Sequence, residues 1–203
     1  MTDLATRPDD LAETKGERTR RRLIEIAIER FGANGFRSTS VSEIARSTGL
    51  TQAAAYAYFT SKEDLFHDAV DADADALLAE ARAAVAGTAP KDLVAAYVVW
   101  LVALLDRHPL ARRVLAGQEP EVIGRLAALP ALERFSDFLA GELRLGQELG
   151  EIRADIDPDV LAPGIEALVL GVLFTTVQAE TQTLDPKQVN GVLAAFDAML
   201  RPA

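Results

Sequence analysis

No cysteine occurs anywhere in the 203 residues, which removes disulfides, thiolate nucleophiles and cysteine metal sites together and is compatible with a reducing compartment. Histidine is nearly as scarce. His67 and His108 are the only two, the first expected on a helix surface and the second at a helix end before Pro109. Alternating Val, Ile and Tyr at strand lengths is hard to find; Leu and Ala dominate, and apolar residues recur three and four apart, so the expected fold is all-α. The N-terminal MTDLATRPDDLAETKG is polar and lacks the apolar core of a signal peptide. The longest apolar stretch, Leu93 to Leu105, has thirteen residues, too few to span a bilayer. A soluble, cytoplasmic chain with no membrane partner and no cofactor is expected.

What is present is an uneven distribution of charge. The net charge is -10, yet Lys15 to Lys62 carry nine basic residues against four acidic ones, a local balance of +5. Residues 63–203 hold eleven bases and twenty-three acids, a balance of -12. A basic head on an acidic body suits phosphate binding at one end and a different task at the other.

The head divides into short helices. Ile24, Ile28 and Phe31, with Leu23 and Ala27 beside them, give a first helix from Glu17 to about Ala33 that GANG should end at Gly32 and Gly35. Ser40 with Glu43 is a capping box for a two-turn helix that stops near Ser47, and Gly49 supplies a tight turn. Thr51 can cap a third helix ending near Phe59. Ser61 with Asp64 opens a long fourth helix to about Val85. Two short helices about STGLT form a helix-turn-helix. Residues 1–16 are expected as a flexible arm, 17–62 as the DNA-binding head and 63–203 as a helical body.

The third helix is built to approach a groove wall. Ala53, Ala54 and Ala55 favour helix and keep its surface slim. Gln52 can pair with a base edge, and Thr51, Tyr56 and Tyr58 offer hydroxyls to phosphates or bases. Tyr56 and Tyr58 cannot share one helix face, so at least one is expected outside, while Phe59 is expected in the core. Lys62 lies in the first turn of a helix, where its charge opposes the dipole unless an anion is near. Arg18, Arg20, Arg21 and Arg22 are placed for phosphate or minor-groove contact.

From Thr19 to Val70 the chain resembles the N-terminal DNA-binding domain of TetR-family transcriptional regulators. The resemblance rests on A-x-x-x-F-x-x-x-G-F (Ala27, Phe31, Gly35, Phe36), T-S-V-x-x-I-A (Thr39 to Ala45), G-L-T (Gly49 to Thr51), Y-x-Y-F (Tyr56 to Phe59) and S-K-E-x-L (Ser61 to Leu65). It implies that the helix from Thr51 to Tyr58 enters the major groove, with phosphate contacts from Thr39, Tyr56, Tyr58 and Lys62. The family often has glycine where this chain has Ala53, a position near the DNA backbone. The resemblance further implies an effector site in the body and a homodimer joined through its last helices, facing a palindromic operator in double-stranded DNA.

In the body, helices are expected at about Lys91–Arg107, after Pro109, at Glu121–Ala128, Leu132–Leu149, from Pro158 to about Thr181, and from Pro186 to about Leu200. Tyr97, Trp100, Leu101, Leu104, Phe135, Phe138 and Phe174 are candidates for an apolar cavity, with Arg112, Arg113, Gln118 or Glu119 as polar anchors for a small apolar or aromatic effector. Leu168, Val169, Val172 and Thr176, with Val189, Val192 and Phe196, are candidates for the dimer interface.

Two other functional classes fit parts of the sequence. Asp71 and Asp75, one helical turn apart in DADAD, offer a Mg²⁺ site to a helical enzyme or carrier. No nucleophile and base pair or phosphate-binding glycine loop accompanies them, so no catalytic residue is assigned. A head that binds protein rather than DNA is the other reading, which salt dependence separates from DNA binding.

Overall fold

A computed structural model describes residues 14–120, 128–178 and 186–202. Among these residues there are nine α-helices and no strand, as the periodicity predicts. In α1 (Lys15–Ser38) Thr14 and Glu17 close a reciprocal capping box, so the helix starts two residues ahead of expectation. It also runs on through Gly32. A Cβ on Gly32 would lie 3.1 Å from Pro109, so this glycine permits close approach of the body and does not end the helix. The break falls at Gly35, with φ at 79°, in the region that favours glycine.

The next turns follow the sequence closely. Ser40 and Glu43 cap α2 (Val41–Ser47) reciprocally, and Gly49 turns at φ 75°. Thr51 caps α3 (Gln52–Ala55), which is shorter than expected. The N–H groups of Ala57 and Tyr58 donate to Ala54 and Ala55, a tightening that ends the helix. Phe59 beyond it is buried. Ser61 caps α4 (Lys62–Ala84).

The body contains α5 (Pro90–Leu104), continued by a 3₁₀ turn at Leu105–Arg107, then α6 (Pro109–Leu115), α7 (Pro130–Glu148), α8 (Pro158–Gln178) and α9 (Pro186–Leu200). Pro90, Pro109 and Pro130 each sit in the first turn of their helices, where the missing N–H has no helical partner to lose. The helix expected at Glu121–Ala128 lies almost wholly outside the described residues, as does the end expected at Thr181.

Two buried clusters hold these elements. The head cluster packs Leu23, Phe31, Ile44, Phe59, Leu65 and Phe66, and it takes Leu110, Val114, Leu129 and Leu132 from the body. Phe66 meets Phe31 edge-on, with centroids 4.9 Å apart. Each such fully buried large apolar group stabilises the fold by roughly 1.5–3 kcal/mol over leaving it exposed. The body cluster gathers Tyr97, Leu101, Phe135, Leu143, Ile165 and Phe196. Packing is therefore continuous across Lys62 and Glu63, because the first half of α4 belongs to the head core.

The acidic face of α4 is a set of fastenings. Asp68 accepts from the Arg20 guanidinium of α1. Asp71 accepts from the Ala131 N–H at 2.7 Å and pairs with Arg134 of α7 at 3.3 Å. Asp75 pairs with Arg134 at 2.9 Å. Buried Asp73 accepts from the N–H groups of Leu110 and Ala111 at 3.1 and 2.8 Å, holding α6. The Mg²⁺ site considered at Asp71 and Asp75 is thereby corrected: their oxygens already serve Arg134 and the start of α7.

Helix α8 corrects the membrane argument. By length and composition alone its 21 residues pass as a membrane span, although Leu93–Leu105 does not. Its Val169, Leu173 and Thr176 are buried in the chain, whereas Val160, Leu168 and Phe174 are exposed at 69%, 53% and 42%. An apolar face is thus left uncovered.

Candidate nucleic-acid interface and effector site

Helix α3 stands at the surface. Thr51, Gln52 and Ala53 are exposed, Ala55 is buried beneath them, and Tyr56 is 43% exposed. Tyr58 is half-buried against the head core, so the two tyrosines diverge in the turn that follows α3. The Thr51 hydroxyl accepts the Ala54 N–H at 3.2 Å, leaving the Gln52 amide as the most extended polar group on the helix.

The cations around it are sorted by geometry. Lys62 holds its Nζ 4.4 Å from the centre of the Phe36 ring, so an aromatic face meets the charge that was expected to need an anion. Arg20 is turned to Asp68 and lies over Phe59, 5.1 Å from its ring centre. It ties α1 to α4 while its side chain stays 46% exposed. Arg22 and, more loosely, Arg21 pair with Glu25 at 2.9 and 3.7 Å on an exposed face. Burial raises the Asp68 carboxyl above its usual value, and Arg20 pulls it back.

Thr39 corrects an expectation in the same way. It is 2% exposed, and its hydroxyl donates to the carbonyls of Arg30 and Gly35 at 3.1 and 2.9 Å. In this conformation it closes the end of α1 and presents no side chain to a phosphate. The sequence reading missed Lys15 and Thr48. With Arg18, Thr19, Arg22 and Leu50 they line a surface groove of about 230 Å³ between the start of α1 and the helix-turn-helix turn. Only the fold brings positions that far apart in sequence together.

The body does not assemble the predicted cavity as one site. Tyr97, Phe135 and Phe138 do converge: Tyr97 stacks on Phe135 with centroids 5.0 Å apart and lies 5.8 Å from Phe138. They border a cleft of about 260 Å³ between α4 and α7. Asp75, Leu78, Arg82 and Arg134 complete it. Trp100 and Phe174 are 43% and 42% exposed elsewhere. Leu101 and Leu104 are core residues. Arg112 pairs with Asp106 at 3.0 Å. Gln118 is exposed beside the junction of head and body, where the buried Glu119 accepts from Arg113 and from the Phe36 N–H at 3.1 Å. Arg113 and Glu119 are therefore fastenings of the head.

Within the cleft, the Tyr97 hydroxyl donates to the Leu78 carbonyl, and burial pushes its phenol well above the ordinary value, so it stays a neutral donor. Arg82 lies over Phe138, 5.1 Å from the ring centre. Every other described arginine of the body has a carboxylate partner, so Arg82 is the arginine of this cleft placed to meet an incoming group.

The predicted dimer stripe is also divided. Val169, Thr176 and Phe196 point into the chain's own core, and Val172, Val189 and Val192 are half-buried. Of the group on α8, Leu168 is the exposed member. The outward face of α8 instead runs through Val160, Gly164, Ala167, Leu168, Gly171 and Thr175, and that of α9 through Gly191, Ala194, Ala195 and Ala198. Small residues predominate on this outward face, with Val160, Leu168 and Phe174 as its large exposed apolar groups. Between α8 and α9 lies an apolar groove of about 650 Å³ floored by Val98 and Val102 of α5.

An all-α chain that presents a capped, slim second helix of a helix-turn-helix beside basic groups is a DNA-binding transcriptional regulator. Residues 23–69 match the family model described as bacterial regulatory proteins, tetR family. The chain is 27% identical over 198 residues to the HTH-type transcriptional regulator UidR of Escherichia coli (strain K12), covering 94% of this chain and 97% of UidR. Its fold matches a putative TetR-family transcriptional regulator from Mesorhizobium loti with a TM-score of 0.67 at 23% identity, over 93% of this chain and 100% of that one. It also matches FadR from Bacillus subtilis, solved in complex with stearoyl-CoA, with a TM-score of 0.62 at 21% identity, over 88% and 98% of the two chains. Over residues 23–69 the chain carries the DNA-binding domain of the tetR family of bacterial regulatory proteins, and these relatives are transcriptional regulators rather than enzymes.

Proposed function

We propose that this regulator is a cytoplasmic homodimeric repressor that holds a palindromic operator through α3 and releases it when a small, largely apolar or aromatic effector enters the body. The observation that carries this reading is the exposure of Gln52 and Ala53 above a buried Ala55, beside a groove lined by Lys15, Arg18 and Arg22. Gln52 reads base edges, Thr51, Tyr56 and Tyr58 reach phosphates or bases, and Lys62 contributes charge from the start of α4. Ala53 brings the backbone close to the duplex. Residues 17–62 act as the head and 63–203 as the body.

The effector occupies the cleft of Tyr97, Phe135 and Phe138, with Arg82 at its rim. This site lies against α4, whose first turn carries Lys62 and whose middle is fastened to α7 through Arg134. Wedging α4 from α7 displaces the head and changes the spacing of two recognition helices, which must be roughly 34–36 Å or a multiple to match an inverted repeat. Reversing a 1:99 population takes about 5.5 kcal/mol of differential affinity, within reach of a buried aromatic ligand.

The second copy packs on the uncovered faces of α8 and α9, where Gly164, Gly171, Gly191 and the alanines allow close helix approach. The test is a gel shift with the DNA flanking the protein's own gene. A retarded band that disappears with a small aromatic compound supports the reading; no specific band on any palindrome there contradicts it.

A further inference from the structure

The DNA-binding and effector-binding readings leave unused the one deeply buried histidine. His108 is 5% exposed and stands at the N-terminal end of α6, where its own side chain makes no cap. Its Nδ1 lies 3.0 Å from Oδ1 of Asp73. The other oxygen of Asp73 accepts the N–H groups of Leu110 and Ala111. A carboxylate in that position demands a donor, so Nδ1 carries the hydrogen and the neutral ring exposes a lone pair at Nε2. That Nε2 is buried without a hydrogen-bond partner. It faces Oε1 of Glu80 at 3.7 Å, acceptor toward acceptor.

We propose that His108 is a proton-operated latch between α4 and α6. Taking up a proton at Nε2 turns the ring into a donor on both sides, and the 3.7 Å gap to Glu80 closes into a charge-assisted hydrogen bond. The imidazolium then bridges two carboxylates of the same helix, Asp73 and Glu80, and binds the start of α6 to α4. The surrounding charges favour this. Glu80 also pairs with Arg107 at 2.8 Å from the turn before His108, but its second oxygen remains for the ring. Asp106 of the same turn and Arg112 of α6 are paired with each other at 3.0 Å, and Arg113, the other charged group of α6, is taken by Glu119. Imidazole is the side chain whose ordinary titration falls between about pH 5 and about pH 8.

The latch has a path to the DNA-binding head. Pro109, the residue after His108, abuts α1 at Gly32, where an added Cβ would lie 3.1 Å away. Leu110 and Val114 of α6 are part of the head core. Securing α6 to α4 therefore secures α1 to α4, the two helices that set where α3 points. The inference is independent of what the effector is and of which operator is read.

The test follows the amide protons of Leu110 and Ala111 in the full-length protein by hydrogen exchange, corrected for intrinsic rates, between about pH 8 and about pH 5. Glu80→Gln supplies a carboxamide N–H that can donate to the neutral Nε2, closing the latch at every pH. Glu80→Ala removes the partner altogether. Glu80 is partly exposed, so neither change threatens the core. In the wild type, protection of both amides rises roughly threefold or more on acidification relative to helical amides of α8. In Glu80→Gln it is high and flat, and in Glu80→Ala the rise is lost. A wild type whose amides do not respond, or variants that respond as the wild type does, overturns the proposal.

Discussion

The carboxylate of Glu119 accepts the backbone N–H of Phe36 at 3.1 Å, across 83 positions of sequence, and takes the Arg113 guanidinium beside it. A buried charge from beyond α6 therefore completes the broken end of α1. Gly35 turns here at φ 79°, and a Cβ on it would lie 2.5 Å from the Arg113 guanidinium and 2.8 Å from the same carboxylate, so a side chain there would be strained and would push the pair aside.

Glu119→Ala leaves both the Phe36 N–H and Arg113 without a partner in a buried site. Removing one member of such a pair costs about 3 kcal/mol or more, so urea unfolding is expected to show a loss of that size. Glu119→Gln, which keeps an acceptor for Phe36, is expected to lose distinctly less. Equal losses would mean that packing, not the hydrogen bond, fastens the head.

Asp68 gives a dependence on pH. Its carboxyl is raised mainly by burial, with Arg20 opposing. A group whose folded value is raised binds its proton more tightly in the native state, so its contribution to stability is full below the unfolded value. That contribution is lost as pH rises through the folded value. Asp68→Asn is expected to lack this decline across the acidic range, read as the difference between wild-type and variant unfolding free energies. The same change frees Arg20, and operator affinity at low salt is expected to rise.

Much of the head was legible because its signals are local. The Ser40–Glu43 box, the Ser61 cap on the Asp64 N–H, the Gly49 turn and the apolar spacing of α1 each act within a few residues, and the structure reproduces them. Gly32 was misread because its role depends on Pro109, a contact no local rule contains. The body was harder for the same reason. Which aromatic residues share a cleft depends on helix rotation, and helices apolar nearly all round, such as α5, carry no stripe to orient them. Hydrophobicity alone puts Trp100 and Phe174 inside, and the acids of DADAD suggest a metal site because Arg134, His108 and α6 lie far along the chain.

The small-residue face of α8 can be tested without disturbing the monomer. A Cβ added at Gly171 meets nothing within 4 Å in the chain. Gly171→Ile is therefore expected to leave the helical circular-dichroism signal intact and to shift the mass measured by light scattering from dimer toward monomer. An unchanged mass would place the partner surface elsewhere.

For the cleft, Phe138→Ala removes a ring that faces Tyr97 and carries Arg82. The effector concentration giving half-release of operator is expected to rise roughly tenfold or more, with little change in affinity for the operator itself. An unchanged half-release concentration would exclude the cleft as the effector site.

The role of α3 is tested most directly by measuring affinity for a selected duplex as a function of salt in the wild type, Lys62→Ala and Gln52→Ala. The account predicts a steep fall of affinity with salt in the wild type. Lys62→Ala should lower the slope by about one and weaken all sequences alike, and Gln52→Ala should relax preference at one base position by about 1–3 kcal/mol. Binding that is indifferent to salt, or a Gln52 change that affects every sequence as the Lys62 change does, would contradict it.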